Sequence, residues 1–377
     1  MVQNSYKPHI LIERGSYITH CGYSGRDKTE LSFRTPSISV EAQFKHIFEE
    51  VLKVNPAQHN VVIVKDAGTA QQILRDEAHL LFTKFHVKAC AFINAQIGIN
   101  SCYAIWESHS VIIDIGYEST YIFPFIKFIS QKEYMAEIPM AGRAIEQFII
   151  GHLIKHGIEK GIIEKNREQL FPYLMRDYFY FDSESEHDFE REAIETRKKK
   201  LPKYLTLQDK EGKSFELSLP SPVLPPDLII SFSKEINNHI IKILETFGSD
   251  YLGSLYEYFD TVKWVPRIII IGGASNILGL RSLLIRELLK STELIRYTGC
   301  ERKPSSPLVD IELRGDVFTI RNATPEDSNG TWVGASMLSS LNTFNKCFVL
   351  KETYQNNSDI FFPLDHTKNL YSDFLKK

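Results

Sequence analysis

Two short stretches of this chain place an acidic residue close to a glycine at the predicted tip of a β-hairpin. In "ILIERGSYIT" the acid is Glu13 and the glycine is Gly15, and in "VIIDIGYEST" they are Asp114 and Gly116. Glycine allows a backbone to approach a ligand closely, and the N–H groups of such a tip can surround a phosphate. The residue types at both tips are therefore those of a phosphate-binding turn.

A third glycine turn lies within "RIIIIGGASNILGLRSLLIRELLK", where a β-branched run ends at Gly272 and Gly273 and a helical pattern of leucines follows. A strand, a glycine turn and a helix make a corner at which backbone N–H groups can contact a nucleotide. Acids and glycines are also common at ordinary turns, where they only end a strand. Taken alone, the acid-glycine hairpins favour this simpler interpretation.

The elements that must position these turns show a repeat. The two hairpin stretches share an apolar run, an acid, a glycine and a later threonine, about one hundred residues apart. Two copies of a strand-turn-strand unit indicate a duplicated, two-lobed architecture. Helices are predicted over residues 70–87, 141–157 and 331–344, and the alternation of strands with helices favours an α/β fold.

Further segments are predicted from composition and spacing. The run 182–200 is acidic first and basic last, which suits a helix whose ends complement its dipole. Residues 218–227 are proline-rich and predict a loop or extended connector. The helix over 331–344 is expected to be buried on more than one side. One predicted face comprises Val333, Met337, Leu338, Leu341 and Phe344, and small residues are expected to allow close packing: Gly334, Ala335, Ser336, Ser339 and Ser340.

Composition and charge narrow the class of protein. The 377 residues, 43% apolar and 24% charged, suit two or more globular domains. A net charge of -3 gives no reason to expect nucleic acid as a partner. Five scattered cysteines without a CxxC pair favour a reducing compartment and give little support to a metal site. His152 and His156 lie four apart on a predicted helix, but without a third ligand they favour a solvated helix face.

The N-terminal residues contain no apolar signal core, and the longest apolar runs have the length of strands. A cytoplasmic protein without membrane insertion is therefore expected.

Taken together, these segments resemble actin and the actin-related proteins. Two hairpins, a subdomain edge, a glycine turn and several helices carry the resemblance, in family order. The similar segments are residues 15–25, 52–67, 111–125, 141–149, 270–288, 332–344 and 351–354. Each motif alone is weak, but their common order and spacing make the resemblance specific.

The resemblance implies an actin/Hsp70/sugar-kinase-type two-lobed fold of the α/β class, with a nucleotide cleft and a reduced subdomain 2. It also implies ATP or ADP as a cofactor that is held without hydrolysis. The implied limits are 1–104 for subdomain 1, with the reduced subdomain 2 near 26–45; 105–140 and 241–329 for subdomain 3, with an insertion near 296–316; 141–240 for subdomain 4; and 330–377 for the return to subdomain 1. The residues implied to contact the nucleotide are Gly15, Ser16, Asp114, Gly116, Gly142, Gly272 and Gly273.

Both phosphate turns depart from the family pattern. At the first tip, Tyr17 and His20 stand where the family has a glycine and a lysine. At the second tip, Ile115, Tyr117 and Glu118 replace a serine, an aspartate and a glycine. An ionised carboxylate about 4 Å from a polyphosphate would be repelled by roughly 1 to 4 kcal/mol per charge pair. Phosphate binding at the second tip is expected to be weakened.

The position of the family's water-orienting glutamine falls on Ile97, with Gln96 one place away. Isoleucine cannot align a water molecule, and the aspartate expected to organise metal-bound waters is replaced by Tyr117. The resemblance therefore implies no catalytic residue and no metal ligand, and we do not expect an enzyme.

Only thirty-nine residues separate Gly25 from Lys65, an interval that contains all of subdomain 2 in actin. A head-to-tail filament needs two complementary surfaces on each subunit. A subunit with a trimmed subdomain 2 can join the pointed end and offers nothing to the next subunit. The combination is most similar to the actin-related protein that caps the pointed end of dynactin's short filament.

The partners implied by this resemblance are the actin-related filament of dynactin, its pointed-end adaptor subunits and, indirectly, dynein. The implied role is microtubule-based transport in the cytoplasm, as part of the cytoskeleton. Two alternatives stay open: an ATP-binding actin-like protein that polymerises, and a nuclear actin-related subunit of a chromatin-remodelling complex.

Overall fold

The structure, a computed structural model, describes residues 8–35, 38–103, 109–126, 129–182, 190–208, 214–255, 267–289, 330–357, 360 and 362. The chain divides into two compact units. Unit 1 comprises Met1–Ile112, Phe123–Met135 and Asn322–Lys377, and unit 2 comprises Ile113–Ile122 and Ala136–Arg321. The finer limits of the four subdomains stay a prediction, and the predicted insertion near 296–316 lies outside the described residues.

Unit 1 is built on a six-stranded sheet. Its strands are β1 (Ile10–Arg14), β2 (Ile18–Tyr23), β3 (Leu31–Arg34), β4 (Asn60–Lys65), β5 (Ala89–Asn94) and β15 (Val349–Leu350). They lie in the order β15-β5-β4-β1-β2-β3, in which β1, β4 and β5 are parallel and the other neighbours are antiparallel. The parallel strands are continuous apolar runs because both of their faces are covered by helices.

Five α-helices lie within the described residues of unit 1. They are α1 (Val40–Lys45), α2 (Gln71–Thr83), α3 (Ala95–Tyr103), α10 (Gly330–Ser339) and α11 (Lys351–Asn356). On one face of the sheet, Ile10, Ile12 and Ile63 pack with α1, α2 and a π-helical segment, His46–Val51, in one apolar core. On the other face, α3 and α10 pack together, and α10 contacts β1 and β4.

The second sheet contains a second hairpin. Its strands are β6 (His109–Ile115), β7 (Thr120–Ile126), β8 (Ile129–Ser130), β9 (Ala136–Ile138) and β14 (Arg267–Ile271). The order is β14-β6-β7-β8, and β9 also pairs with β7. The hairpins β1-β2 and β6-β7 confirm the repeated strand-turn-strand unit and the α/β class.

The rest of unit 2 consists of helices and two small sheets. The helices are α4 (Gly142–Lys155), α5 (Lys160–Lys165), α6 (Arg167–Tyr173), α7 (Arg191–Lys200), α8 (Asp227–Leu255) and α9 (Leu280–Leu289). The small sheets pair β10 (Tyr180–Phe181) with β13 (Val223–Leu224), and β11 (Tyr204–Gln208) with β12 (Ser214–Ser218). Among the helices of the described ranges, none combines the length and the apolar character needed to cross a membrane.

Two of the predicted helices are confirmed with small shifts. The helix expected over 70–87 is α2, and the helix expected over 141–157 is α4, which is followed by Gly157 at φ +86°. A positive φ is the left-handed conformation that favours glycine after a helix. In the run 182–200 the described helix begins at Arg191, after Glu190 at its N-cap. Residues 183–189 lie outside the described residues. The connector 218–227 also contains the short strand β13.

The predicted helix over 331–344 is wrong in its extent, and one residue of its predicted apolar face is exposed. Helix α10 ends at Ser339 and a 3₁₀ segment, Asn342–Cys347, follows. Met337, predicted to face inward, is 44% exposed, whereas Gly334 and Ala335 are buried. The reason is a close approach of two backbones: a Cβ on Gly334 would lie 1.8 Å from the carbonyl oxygen of Gly98 in α3. Small residues predicted to allow close packing therefore lie at this contact, and Leu338 and Phe344 of the predicted apolar face are also buried.

We expect Gly334→Ala to lower the free energy of unfolding by about 1 to 3 kcal/mol, because the added methyl group forces α10 away from α3. Gly151→Ala is the matched control. A Cβ there would meet nothing within 4 Å, so the better helix propensity of alanine should add up to about 1 kcal/mol. Urea unfolding followed by circular dichroism measures both, and shifts of the same sign would contradict the backbone contact.

Candidate functional site

The tip of the second hairpin is bonded directly to the first turn of α4. The N–H group of Gly142 donates to the carbonyl oxygen of Gly116 (3.0 Å), and the N–H group of Arg143 donates to that of Tyr117 (2.7 Å). The N–H groups at the start of a helix have no partner within the helix and commonly bind anions. Here two of them are bonded to the hairpin, so they are not available to a phosphate.

The glycine turn after β14 packs against the base of the same hairpin. Gly272 has φ +102°, and a Cβ there would lie 2.3 Å from the carbonyl oxygen of Ile115 and 2.7 Å from Oδ1 of Asp114. Its lack of a side chain is therefore required by the packing of the chain itself. At the neighbouring Gly273, a Cβ would meet no described atom within 4 Å. This is the glycine of the turn that leaves space for a ligand.

These contacts bring together five of the seven residues predicted to contact nucleotide. Asp114, Gly116, Gly142, Gly272 and Gly273 all lie where the second hairpin, α4 and the turn after β14 meet within unit 2.

The remaining two, Gly15 and Ser16, lie at the tip of the first hairpin in unit 1. Each unit thus contains one acid-glycine turn.

The side chain of Tyr117 belongs to a cluster with Glu146 of α4 and Arg167 of α6, which we call the Tyr117 cluster. The Tyr117 hydroxyl donates to the Glu146 carboxylate. Arg167 donates to both Glu146 oxygens (2.8 and 2.9 Å) and to the Tyr117 hydroxyl (2.9 Å). Glu146 is 1% exposed, and a buried carboxylate is stable only when its oxygens are paired in this way.

The Tyr117 cluster has defined protonation states. Burial, and then the bond to Glu146, raise the pKa of Tyr117, so its hydroxyl stays a donor at neutral pH. The hydrogen bond to Glu146 raises the pKa of Arg167, which stays charged. Sequence analysis missed Glu146 and Arg167. The available signal was an acid beside Ile145 on the predicted apolar face of α4.

Glu118, the carboxylate expected to repel a phosphate, forms an ion pair with Arg143 at the start of α4. The Arg143 guanidinium also lies 5.6 Å from the centre of the Tyr117 ring. Both charged side chains are about half exposed, so the pair contributes at most about 1 kcal/mol. It nevertheless offsets the negative charge of the second tip.

The first hairpin tip is closed in the same manner as the second. The N–H group of Gly15 donates to the carbonyl oxygen of Ile18 (3.1 Å), and that of Gly116 donates to the residue three positions later (3.1 Å). Thr35 completes the first tip, because its hydroxyl donates to the Gly15 carbonyl (2.8 Å) and its N–H group donates to the Tyr17 carbonyl (2.8 Å). The repeat seen in the sequence is thus a repeat of turn geometry.

His20, at the position of the family lysine, is buried on β2 opposite Glu13 of β1. Its Nδ1 lies 2.6 Å from the Ser32 hydroxyl, and burial lowers its pKa to about 4. The imidazole is therefore neutral at physiological pH. It does not supply the positive charge that a lysine would bring to a phosphate.

Gln96 and Ile97 are both buried in unit 1. The Gln96 side chain accepts a hydrogen bond from the N–H group of Ala67 (3.0 Å) and donates to Asp66 (3.4 Å). Its amide therefore holds the loop after β4. Gln96 is the side chain that a one-residue shift of the family pattern would place at the water-orienting position. Its amide is already bonded to Ala67 and Asp66.

No group of three or more metal-ligating side chains is found in the part of the chain that the structure describes. The rings of His152 and His156 lie 4.5 Å apart on α4, and burial lowers the pKa of His152. The interpretation as a helix surface needs one correction, since His152 is partly buried and only His156 is exposed.

Comparison with known proteins identifies the family. The profile of the actin family matches residues 39–172 and 263–361. The chain belongs to the actin family. An "Actin-like protein" of Neurospora crassa is 21% identical over 333 residues, which is 87% of this chain and 77% of that protein. The second hairpin, the start of α4 and the turn after β14 lie inside the matched ranges, whereas Gly15 and Ser16 precede them.

Membership of the actin family confirms the two-lobed fold class implied by the sequence. Within that fold, the second turn keeps its glycines and its backbone contacts, but Tyr117 and Glu118 are bonded to side chains of the same unit. The polar side chains at the tip of the second hairpin are thus bonded to internal partners.

We expect Tyr117→Phe to lower the free energy of unfolding by about 1 to 2 kcal/mol, because a buried carboxylate loses one of its donors. Tyr121→Phe is the matched control, since the Tyr121 hydroxyl meets Glu137 at the surface (3.1 Å) and its loss should change the value by less than about 0.5 kcal/mol. Urea unfolding measures both variants. Equal effects would mean that the Tyr117 cluster contributes nothing beyond a surface hydrogen bond.

His20 should make stability depend on pH. Its folded pKa of about 4 lies below the ordinary value of 6.5, so its contribution is complete above pH 6.5 and is lost as the pH falls towards 4. Replacement by a residue that does not titrate should remove this slope. Between pH 8 and pH 5, we expect the free energy of unfolding of the wild type to fall by about 2 kcal/mol more than that of His20→Gln. Urea unfolding at both pH values measures this difference. Parallel pH profiles for the two proteins would contradict a buried, neutral imidazole.

Proposed function

We propose that this actin-family chain is a structural subunit, without enzymatic activity, that caps the pointed end of the short actin-related filament of dynactin. There it would contact the pointed-end adaptor subunits and support dynein-driven transport along microtubules in the cytoplasm. The proposal rests on one observation above the others, the use that the chain makes of the interval between Gly25 and Lys65.

Described residues of that interval are built into unit 1 itself. Strand β3 pairs with β2 from Cys21 and Leu31 to Ile18 and Arg34, and so extends the main sheet. Helix α1 and the π-helical segment after it bury their aromatic and aliphatic residues in the same core as β1 and β4. The buried residues are Phe44, Ile47 and Phe48, each 0% exposed.

Because these elements complete the sheet and its cover, the described part of the interval contains no separate projecting subdomain. Growth of a head-to-tail filament requires a second complementary surface on every subunit. A subunit in which this interval is part of its own core can bind a filament end and would present no second surface for the next subunit to bind. This supports a capping role over a growing one.

The candidate nucleotide site fits one half of a nucleotide better than the other. At Gly273 a Cβ would meet no described atom within 4 Å, so this residue of the Gly272–Gly273 turn would leave room for the nucleoside side, whereas Gly142 and Gly272 pack against the hairpin. The phosphate side does not fit, because the α4 N–H groups and the Tyr117 hydroxyl already have partners. We propose that ATP or ADP, where bound, is held without hydrolysis and stabilises the fold by mass action.

The open space at Gly273 also favours a second candidate, an ATP-binding actin-like protein that polymerises. This candidate requires phosphate release in the presence of Mg²⁺ and ATP, rising with self-assembly. The capping proposal expects neither self-assembly nor phosphate release, so measurement of both on the purified chain separates the two functions.

The capping proposal is tested on filaments of dynactin's actin-related protein whose barbed ends have been blocked. We expect the added chain to stop elongation at pointed ends, at concentrations comparable to that of the ends, and labelled chain to lie at one end of each filament in electron micrographs. Additional actin-related monomer in place of the chain should extend the filaments. Binding along filament sides or at barbed ends, or recovery of chromatin-remodelling subunits in place of dynactin on affinity purification, would overturn the proposal.

A further inference from the structure

A groove of about 590 Å³ lies in unit 2 between the end of α7 and the proline-rich connector that follows β12. Tyr178 and Tyr180 line one side of it. The Tyr178 hydroxyl donates to the carbonyl oxygen of Pro220, and the Tyr180 N–H group donates to that of Pro222 (3.0 Å). These bonds hold the connector against the two tyrosines. The two bonds therefore give the groove a defined wall.

A basic segment adjoins the groove, and we call residues 197–203 the basic rim. Lys198 and Lys203 line the groove, whereas Lys199 and Lys200 lie between them in the chain. Helix α7 ends in four consecutive cations, 197–200, and Lys203 follows. Lys198 is paired with Asp182 and Glu195 (2.9 Å each). Lys199, Lys200 and Lys203 are exposed and make no ion pair or side-chain hydrogen bond within the described ranges. This concentration of unpaired positive charge stands in a chain whose net charge is -3.

The groove also presents an exposed aromatic ring. Tyr204, the first residue of β11, lines the groove and is 57% exposed. It is paired with Ser218 in the β11-β12 hairpin, and the acid on the same strand face is Glu216, opposite Thr206. An exposed ring next to lysines offers both apolar contact and hydrogen bonding to a partner. Aromatic residues of this kind are enriched in protein interfaces.

We infer that this groove is a docking site for an extended, acidic peptide segment of a partner protein. Lys203 lines the groove, Lys199 and Lys200 precede it in the chain, and the other lining lysine, Lys198, is already neutralised. Such a distribution suits carboxylates spaced along a chain better than a single compact anion, which requires converging free charges. Tyr204 then contacts an apolar or aromatic residue between the carboxylates. The inference does not depend on the proposed capping function, because it concerns residues of unit 2 alone.

The probe is a fluorescein-labelled synthetic peptide of sequence EEPYEEPYEE, titrated with the full chain and followed by fluorescence anisotropy. We expect saturable binding that weakens as salt rises. The triple variant K199E/K200E/K203E should bind about tenfold more weakly, because three favourable charge contacts become unfavourable. The control variant K155E/K160E/K165E changes the same number of exposed lysines on α4 and α5 and should bind within about twofold of the wild type.

A second pair of variants separates the groove from general charge attraction. Tyr204→Ser should weaken binding about threefold or more, whereas Tyr204→Phe should retain it, since the ring supplies the contact. Hydrogen exchange should show protection of residues 198–204 and 218–222 when the peptide is added. These measurements locate the contact even where one variant folds poorly.

Three results would overturn the inference. One is an equal loss of affinity in the two lysine variants, which would indicate attraction by net charge. Another is an affinity that Tyr204→Ser leaves unchanged, together with no protection of residues 198–204 and 218–222 from hydrogen exchange. The third is tighter binding of a DNA oligonucleotide of the same charge, or of phosphatidylserine vesicles, which would assign the basic rim to a different class of partner.

Discussion

A carboxylate that is removed from water costs several kcal/mol unless donors satisfy its oxygens, and Glu146 of α4 is 1% exposed. Its two oxygens are bonded by Arg167, and the Tyr117 hydroxyl supplies a further donor. Those three residues come from α4, from α6 and from the tip of the second hairpin. One buried charge therefore ties three segments of unit 2 together, and the position of each is tied to the others.

This constraint also determines what the hairpin tip can do. Tyr117 cannot turn towards a ligand without leaving Glu146 short of a donor, and the first N–H groups of α4 are bonded to the tip carbonyls. Glu118 is held by Arg143, the second residue of the same helix. These bonds are all made within unit 2. The substitutions form a consistent set, in which each new polar side chain has a partner within the unit.

In unit 1, the segment that follows the first hairpin has more than one structural role. Strand β3 and helix α1 follow the first hairpin directly and complete a sheet and a core, so that the short interval after Gly25 is used for stability of the unit. Thr35, immediately after β3, is also bonded to the first tip through its hydroxyl and its N–H group. The same short segment thus closes the sheet and the turn. The segment that contains β3 and Thr35 therefore contacts both the sheet and the tip of the first hairpin.

The sequence by itself determined the features that depend on residue type and spacing. Periodicity placed α2 and α4, the repeated acid-glycine stretches predicted two equivalent hairpins, and the motif order indicated the actin fold. Glycine positions were read correctly as turns at Gly116 and Gly272, because positive φ or close backbone approach excludes other residues there.

Only the tertiary structure decided what those turns contact. The small residues of α10 indicated a close contact, but only the fold shows that the contact is with Gly98 of α3 and that Met337 is exposed. The pairing of Glu146 with Arg167 joins residues twenty-one positions apart on different helices. The neutral state of His20 depends on burial by the surrounding unit. Local spacing carries information about one element at a time, whereas burial and pairing depend on residues that meet only after the chain has folded.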